Sequence, residues 1–544
     1  MTPGDELLFL ALGGSGEIGT NVNLYGCRGK WLMVDCGLTF GDHDYPGIDL
    51  VLPDLDFIER RRRDLVGLVL THGHEDHIGA IPYLAADLKV PIYATAFTAG
   101  LVAGKLEEEG LTGQVQVRIV EQTAELDLAP FRVTYVPVAH SIAEANALLI
   151  ETPHGRVFHT GDWKIDDTPV LGNTTSPERL TAIGDEGVLA LVCDSTNAFN
   201  EQVSGSEADV YDGLLKTVAD APGRVLVTTF ASNAGRLDTI GRVAEATGRR
   251  IALAGRSVER NIKVAKATGY LRDFPEPVRY DEAMRLPRSE LLILATGGQG
   301  EPRAALGRIA AGNHELKLGN GDTVIFSSRQ IPGNENAVGA IMNQLSKLGV
   351  VTVTDRQAHV HVSGHPGRPE LKKMYDWIRP EVLIPVHGEP RHLREQARFG
   401  EANGIPRAIV QENGEVIRLG PGEPRKLGEE RVGKLVLDGD VILPADGTTI
   451  NERRRMAFGG VIAVSIALDR RGALIGEPLV RPLGVPVEED RADFIRDAAD
   501  MAARAVGPRM DEEKLREAVR LAVRRCATAW TGKKPLVEVM VLRS

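Results

Sequence analysis

The sequence predicts an α/β protein in which a strand-rich domain is interrupted by a doubly wound segment and followed by a small α+β domain. Three patterns carry that expectation. Over residues 1–204 short apolar runs alternate with turns and mostly end in polar clusters, as in LVGLVLTHGH and RVFHTGDW. Over 205–355 helix-like stretches such as GRLDTIGRVAEATG alternate with strand-like RVLVTTF, ELLILATGG and DTVIFSS, the pattern of a doubly wound sheet. Over 356–424 a strand ending in a histidine loop returns in EVLIPVHGE, so the first domain resumes after an insertion.

Taken in order, LLFLAL, NVNLYGC and KWLMVDCG read as strands, with residues 21–37 forming a hairpin around Gly26 and Gly29. The stretch 425–455 is polar and punctuated by Gly and Pro, and reads as a linker. Over 456–544, the strand-like MAFGGVIAVSIAL and LVEVMVL flank helix-like FIRDAADMAARAV and EEKLREAVRLAVRRCA, giving the small α+β domain.

Composition narrows the class. The 544 residues suffice for three to four domains at ~150 residues each. With 43% hydrophobic and 26% charged residues, a disordered or collagen-like chain is excluded. The net charge of -11 argues against a general polyanion binder and confines nucleic-acid affinity to a local channel. Cys27, Cys36, Cys193 and Cys526 have no paired spacing, so neither a disulfide framework nor a cysteine zinc site is expected. No apolar run reaches the ~18 residues of a membrane span and the N-terminus lacks a basic leader, which predicts a cytoplasmic protein without membrane contact.

Two glycine-rich motifs invite a nucleotide reading. Gly14-Ser15-Gly16-Glu17-Ile18-Gly19 spells G-x-G-x-x-G with Asp35 downstream, but the helix that must follow is replaced by the hairpin, which leaves a glycine turn passing close to some other site. TGGQGEP at 296–302 lacks the Lys-Ser/Thr of a phosphate loop. The arginine run at 60–63 reads as a solvated helix end.

The strongest signal follows the strand-like VGLVL: Thr71-His72-Gly73-His74-Glu75-Asp76-His77. Imidazole and carboxylate in this density form a divalent-metal site, suited to zinc or manganese. One short loop cannot close two such sites, so further ligands must come from other strand ends, where His140, Asp162 and His387 stand.

Asp35, His72, His74, Asp76, His77, His140 and Asp162 together resemble the pattern of the metallo-β-lactamase superfamily. The resemblance implies an αββα sandwich. His72, His74 and His140 would hold one metal, Asp76, His77 and His387 the other, Asp162 would bridge them, and Asp35 would orient the histidine loop. Asp194 in CDST, the run His361-Val362-Ser363-Gly364-His365, and His387 resemble the extra motifs of the β-CASP nucleases, and a histidine at the last of these is the habit of RNA-processing members. Among those, ALGGSGEIGTN, THGHEDHIGAIPYL, HTGDWK, CDSTNA, FASNAGR, SSRQIPGNE, HVSGH and PVHGE resemble the bacterial ribonuclease J family most, and the tail after 456 more weakly. The loop Gly41-Asp42-His43-Asp44 departs from it, with histidine where the family is usually acidic, which puts an additional structural cation there in doubt.

By that resemblance the protein would be a two-metal ribonuclease of RNA maturation and decay. It would hydrolyse single-stranded RNA from a 5' end, with preference for a 5'-monophosphate, and cut internally as well. Zinc is the first expectation for its two divalent ions, manganese the second. Asp76, Asp194 and His365 would be catalytic, with His365 as general acid oriented by Asp194. Ser232, Asn233 and Ala234, with His361, Val362, Ser363, Gly364 and His365, would bind substrate around the 5'-phosphate. Ser232-Asn233 equally suits a helix N-cap, and both roles can coexist. The tail would serve a homo-oligomer, a dimer or tetramer. The competing readings are a lactonase or thioesterase of the same superfamily, against which the large insertion argues, and a silent RNA-binding scaffold, against which the full ligand set argues.

Overall fold

The computed structural model describes residues 4–41, 44–301, 303–330, 334–508 and 510–544. His43, on which the doubt about an additional cation rests, lies outside the described residues. The chain divides into two compact units, one of residues up to 39 with 52–433 and one of 40–51 with 434–544.

The first unit is built on two sheets packed face to face. One has eight strands, whose inner members are Leu7–Gly13, Val22–Cys27, Lys30–Val34 and Leu65–Val69. The other has six, in the order Val382–Val386, Ala190–Asp194, Gly155–His159, Asn146–Thr152, Phe131–Pro137 and Glu125–Leu128. Phe9, Tyr25, Leu32 and Val69 of the first share one buried apolar cluster with Tyr135, Leu148, Val192 and Ile384 of the second. Helices pack outside, so near-continuous apolar runs such as LLFLALG are buried on both faces. This is the expected αββα sandwich. The hairpin at 21–37 is present, with Asn23 opposite Val34, and strand Val22–Cys27 stands where a dinucleotide motif needs a helix.

Between the neighbouring parallel strands Ala190–Asp194 and Val382–Val386 the chain leaves the sandwich and returns. Within the excursion lies a five-stranded, all-parallel sheet with Val225–Thr228 at its centre, flanked by Leu291–Ala295 and Thr323–Phe326 and edged by Arg250–Ala254 and Val351–Val353. Helix Ala234–Ala246 starts just beyond the C-terminal end of the central strand.

Register fixes where the chemistry falls. Val34 pairs with Val69, so Asp35 and the loop from Thr71 leave the same edge of one sheet. His159 pairs with Val192, and Asp194 with Val386, which brings Asp162, Asp194 and His387 to one edge of the other.

The expected linker is corrected, its first strand belonging to the first unit and the rest to the second. Residues 425–455 hold strands Arg425–Glu429, Lys434–Asp438 and Val441–Pro444 and most of helix Thr448–Gly459 rather than a linker. LVLDGDVILP is a hairpin, its apolar run interrupted by Asp438-Gly439-Asp440 with Gly439-Asp440 as the two-residue turn, and with Leu435 paired to Pro444. Val436 and Ile450 share a small core with Ile48 and Val51 from the excursion at 40–51. The tail is the expected α+β layer. Strand Val461–Leu468 alternates buried and half-buried residues, lies between Leu479–Leu483 and Leu536–Arg543, and packs Ile462, Val464 and Ile466 with Phe494 and Val523 of helices Arg491–Ala505 and Glu512–Thr531. Among the described residues, no helix is long and apolar enough to cross a membrane.

Candidate metal centre

The loop after Leu65–Val69 turns through His72 and His74 into the one-turn helix Glu75–Ile78, presenting four potential ligands. His140 arrives after Phe131–Pro137, Asp162 after Gly155–His159, and His387 after Val382–Val386. The structure brings all seven predicted ligands together. One group is His72, His74, His140 and Asp162, and a second is Asp76, His77, Asp162 and His387, with ligand atoms in each within 4.8 Å of one another. Asp162 belongs to both. Its Oδ2 lies 3.7 Å from His72 Nε2, 3.8 Å from His140 Nε2, 3.2 Å from His77 Nε2 and 3.5 Å from His387 Nε2. His387 Nε2 is also 3.5 Å from Asp76 Oδ2.

Hydrogen bonds behind the cluster fix its tautomers. Thr71 Oγ1 donates to Asp35 Oδ2 at 2.8 Å, so toward His72 Nδ1, at 3.0 Å, it accepts. His77 Nδ1 donates to the same carboxylate at 2.7 Å, and His140 Nδ1 donates to the Gly364 carbonyl at 2.6 Å. In the neutral rings each Nε2 is then a lone pair facing the cluster. His74 Nδ1 lies 3.1 Å from both His72 Nε2 and His140 Nε2.

The two donor groups differ in their electrostatics. Burial holds His72 and His140 well below the ordinary imidazole value and His74 at about 4, so this group is neutral. Burial works against charge on His77 as well, but Asp162, Asp76 and Asp35 outweigh it and drive the ring well above its usual value. Asp162 is buried, yet His387, His77 and His365 hold its carboxyl well below the carboxylate range. Its Oδ1 and His387 Nδ1 are buried without a hydrogen-bond partner. Lone pairs and carboxylates converging this closely with orphaned acceptor capacity fit divalent cations, and the nitrogen and oxygen donors suit zinc or manganese. Asp35 and His387 both adopt left-handed backbone (φ 62 and φ 53), a cost typical of functional positions.

Beside the cluster, His365 Nδ1 lies 2.7 Å from Asp194 Oδ2 and 4.0 Å from Asp162 Oδ2. Burial opposes its charge, but Asp194 and Asp162 raise His365 to about 9. Three side chains that sequence reasoning passed over hold this pair. Thr196 N and Oγ1 donate to Asp194 Oδ1 at 2.8 and 2.7 Å, and Asn197 Nδ2 donates to Ser363 Oγ and the His365 carbonyl at 2.8 and 3.0 Å. Gln396 Nε2 donates to the Asp194 carbonyl at 2.8 Å. Thr196 and Asn197 sit inside CDSTNA, the motif that flagged Asp194.

The expected substrate segments fall as follows. Asn233 caps helix Ala234–Ala246, its side chain accepting from Arg236 N at 2.9 Å, so the N-cap role is present. Arg236, which sequence reasoning also missed, is fully buried and donates to Val360 O at 3.1 Å, joining that helix to the segment 361–364. His361 is held at about 3 by burial and by the nearby Arg236 and Arg329, and its Nδ1 is buried without a partner. The Ser363 hydroxyl bonds the backbone of His365 on both sides, accepting from its N and donating to its carbonyl at 3.1 Å.

Four family profiles match: a beta-lactamase superfamily domain over 30–181, a Ribonuclease J beta-CASP domain over 222–345, a Zn-dependent metallo-hydrolase RNA specificity domain over 351–410 and a Ribonuclease J C-terminal domain over 448–544. Similar proteins include Ribonuclease J of Sinorhizobium meliloti, 45% identical over 100% of this chain and 98% of that protein. Ribonuclease J of Corynebacterium glutamicum is 39% identical over 92% and 70%, and that of Thermus thermophilus 34% over 99% and 96%. A crystal structure of a protein of unknown function from Enterococcus faecalis V583 shares the fold at TM-score 0.54 and 18% identity, over 76% of this chain and 100% of that one. Fold, donor cluster and profiles define a metal-dependent nuclease of metallo-β-lactamase fold with a β-CASP insertion. With 45% identity along its length to one relative, the chain belongs to the ribonuclease J family.

Proposed function

We propose that the protein hydrolyses single-stranded RNA from its 5' end, prefers a 5'-monophosphate and cuts internally where no such end is engaged. The observation that supports this best is the shared Asp162 Oδ2 between two donor groups, with the His365–Asp194 pair at its edge. His72, His74 and His140 would hold one divalent ion and Asp76, His77 and His387 a second, with Asp162 common to both and zinc ahead of manganese. When bound, such ions supply Lewis-acid stabilisation of phosphoryl charge and a water acidic enough to ionise near pH ~7. Asp35 keeps His77 and, through Thr71, His72 in the ligating tautomer. His365, charged and oriented by Asp194, gives its Nε2 proton to the departing ribose oxygen.

The start of helix Ala234–Ala246 (Ser232, Asn233, Ala234) and the segment from His361 to Gly364 would form the 5'-phosphate pocket, where backbone N–H groups and the helix dipole favour an anion. We propose a metallo-β-lactamase domain of 1–204 with 356–424, an inserted β-CASP domain of 205–355 and a C-terminal domain of 456–544. We further propose a dimer or tetramer, working in the cytoplasm, where four unpaired cysteines are at home.

The test is turnover of one RNA bearing either a 5'-monophosphate or a 5'-hydroxyl. Mononucleotides released preferentially from the monophosphate form are expected. Equal turnover of both would remove the pocket, and fragments cut only internally would remove the 5'-to-3' direction.

A further inference from the structure

The glycine run 14–19, which spells a dinucleotide motif, plays no part in the chemistry above. It lies between two loops that must meet at the second donor group although Asp76 and His387 are far apart in sequence. On one side the Gly14 carbonyl accepts from His387 N at 2.6 Å, and Gly16 N donates to the Gly388 carbonyl at 3.0 Å. On the other, Asn21 donates twice to the Asp76 carbonyl, from its backbone N at 3.0 Å and from Nδ2 at 3.1 Å.

The fit around Asn21 is close. The residue is 2% exposed. A Cβ on Gly14, which has φ +85, would fall 2.3 Å from Asn21 Oδ1, so only glycine leaves room for the amide. Gly37 N donates to the Asn21 carbonyl at 3.1 Å, and a Cβ there would fall 1.6 Å from the Asp76 carbonyl oxygen. Asn21 Nδ2 also lies 3.1 Å from His77 Nε2. The other ring nitrogen of His77 is committed to Asp35, so the amide stands next to the nitrogen left for a cation. The first donor group is held differently, His72 through Thr71 and His140 through the Gly364 carbonyl.

We propose that Asn21 is a positioning residue for the second cation alone: with the glycine turn it straps the Asp76–His77 loop to the His387 loop, and so sets the affinity of that ion and not of its neighbour. The inference rests on the two-metal reading. Partners that orient metal ligands typically contribute ~10–100-fold in affinity, and the effect here should be confined to one of two binding steps.

The experiment titrates manganese(II) into the chelator-stripped full chain by calorimetry, with elemental analysis of the reloaded protein. His387→Ala identifies which step belongs to the second group. Wild type should bind two ions. Asn21→Leu, similar in size but without a donor, should weaken the His387-dependent step by on the order of tenfold or more and leave the other unchanged. Asn21→Ser, which keeps a shorter donor, should fall between the two and carries the test if the leucine variant does not fold. Unchanged affinity in both steps, or equal weakening of both, overturns the proposal while leaving two metals in place. A wild type that binds a single ion overturns the two-metal reading and this inference with it.

Discussion

Arg236→Met removes a guanidinium that the structure buries completely. Its side chain is 0% exposed and that of its partner Glu207 9%. Arg236 donates to Glu207 through Nε (2.5 Å) and Nη2 (3.0 Å), and through Nη1 to the Ser327 carbonyl (2.9 Å), Ser327 Oγ (2.6 Å) and the Val360 carbonyl (3.1 Å). Met fills much of the volume, so the main cost is the stranded Glu207 carboxylate. Breaking one side of a buried pair costs about 3–5 kcal/mol. Both carbonyls keep a second donor, that of Ser327 from Thr229 Oγ1 at 3.1 Å and that of Val360 from the Ser327 hydroxyl at 2.7 Å, so neither adds to the cost. The total is therefore about 3–5 kcal/mol. Adding Glu207→Gln removes the stranded charge, so the double variant should cost at least about 2 kcal/mol less than the two single changes summed. Urea midpoints of the four proteins, followed by circular dichroism, measure both quantities. A single-variant loss below about 1 kcal/mol, or strict additivity in the cycle, would refute the argument that this pair clamps the helix start to the segment before His361.

Other predictions concern the cluster and its surroundings. His74→Ala should lower RNA hydrolysis by orders of magnitude together with a measured loss of bound metal, and activity lost with full metal content would contradict the assignment. Gly364→Ala places a Cβ 2.7 Å from Ser141 Oγ and 3.0 Å from His140 Cε1, so a manganese titration should show the first-group step weakened and the His387-dependent step retained. His159, bonded to Tyr25 Oη at 2.8 Å, is held by burial at about 4, below its ordinary 6.5. Between these values the unfolded chain binds the extra proton, so stability present above pH 6.5 is lost as pH falls toward 4, by a few kcal/mol at ~1.4 per unit. His159→Phe should flatten urea midpoints over that window relative to wild type, and an unchanged slope would refute the burial argument.

The candidate ligands were legible because their signal is dense and local. Three histidines and an aspartate crowd one short loop in a chain with 13 histidines, and the partners stand at strand ends that register then aligns. What holds them was not. His140 is oriented by the carbonyl of Gly364, and a backbone carbonyl leaves no trace in residue type. Asn21, Asn197 and Arg236 act across long stretches of chain, and nothing in their neighbours' spelling reveals the contact. The glycine turn was legible as a turn, but its purpose lies in loops that follow much later. The hairpin at 434–444 was hidden by the Gly and Pro around it, and the two-residue strand Thr39–Phe40 is too short to show alternation.

Two-metal hydrolysis from the 5' end is tested most directly by product sizing on 5'-monophosphorylated, 5'-labelled RNA as manganese or zinc is restored to protein shown by elemental analysis to be metal-free. It predicts no products from the stripped protein and labelled mononucleotide as the earliest product once two ions per chain are bound. Cleavage by the stripped protein at the reloaded rate would contradict it.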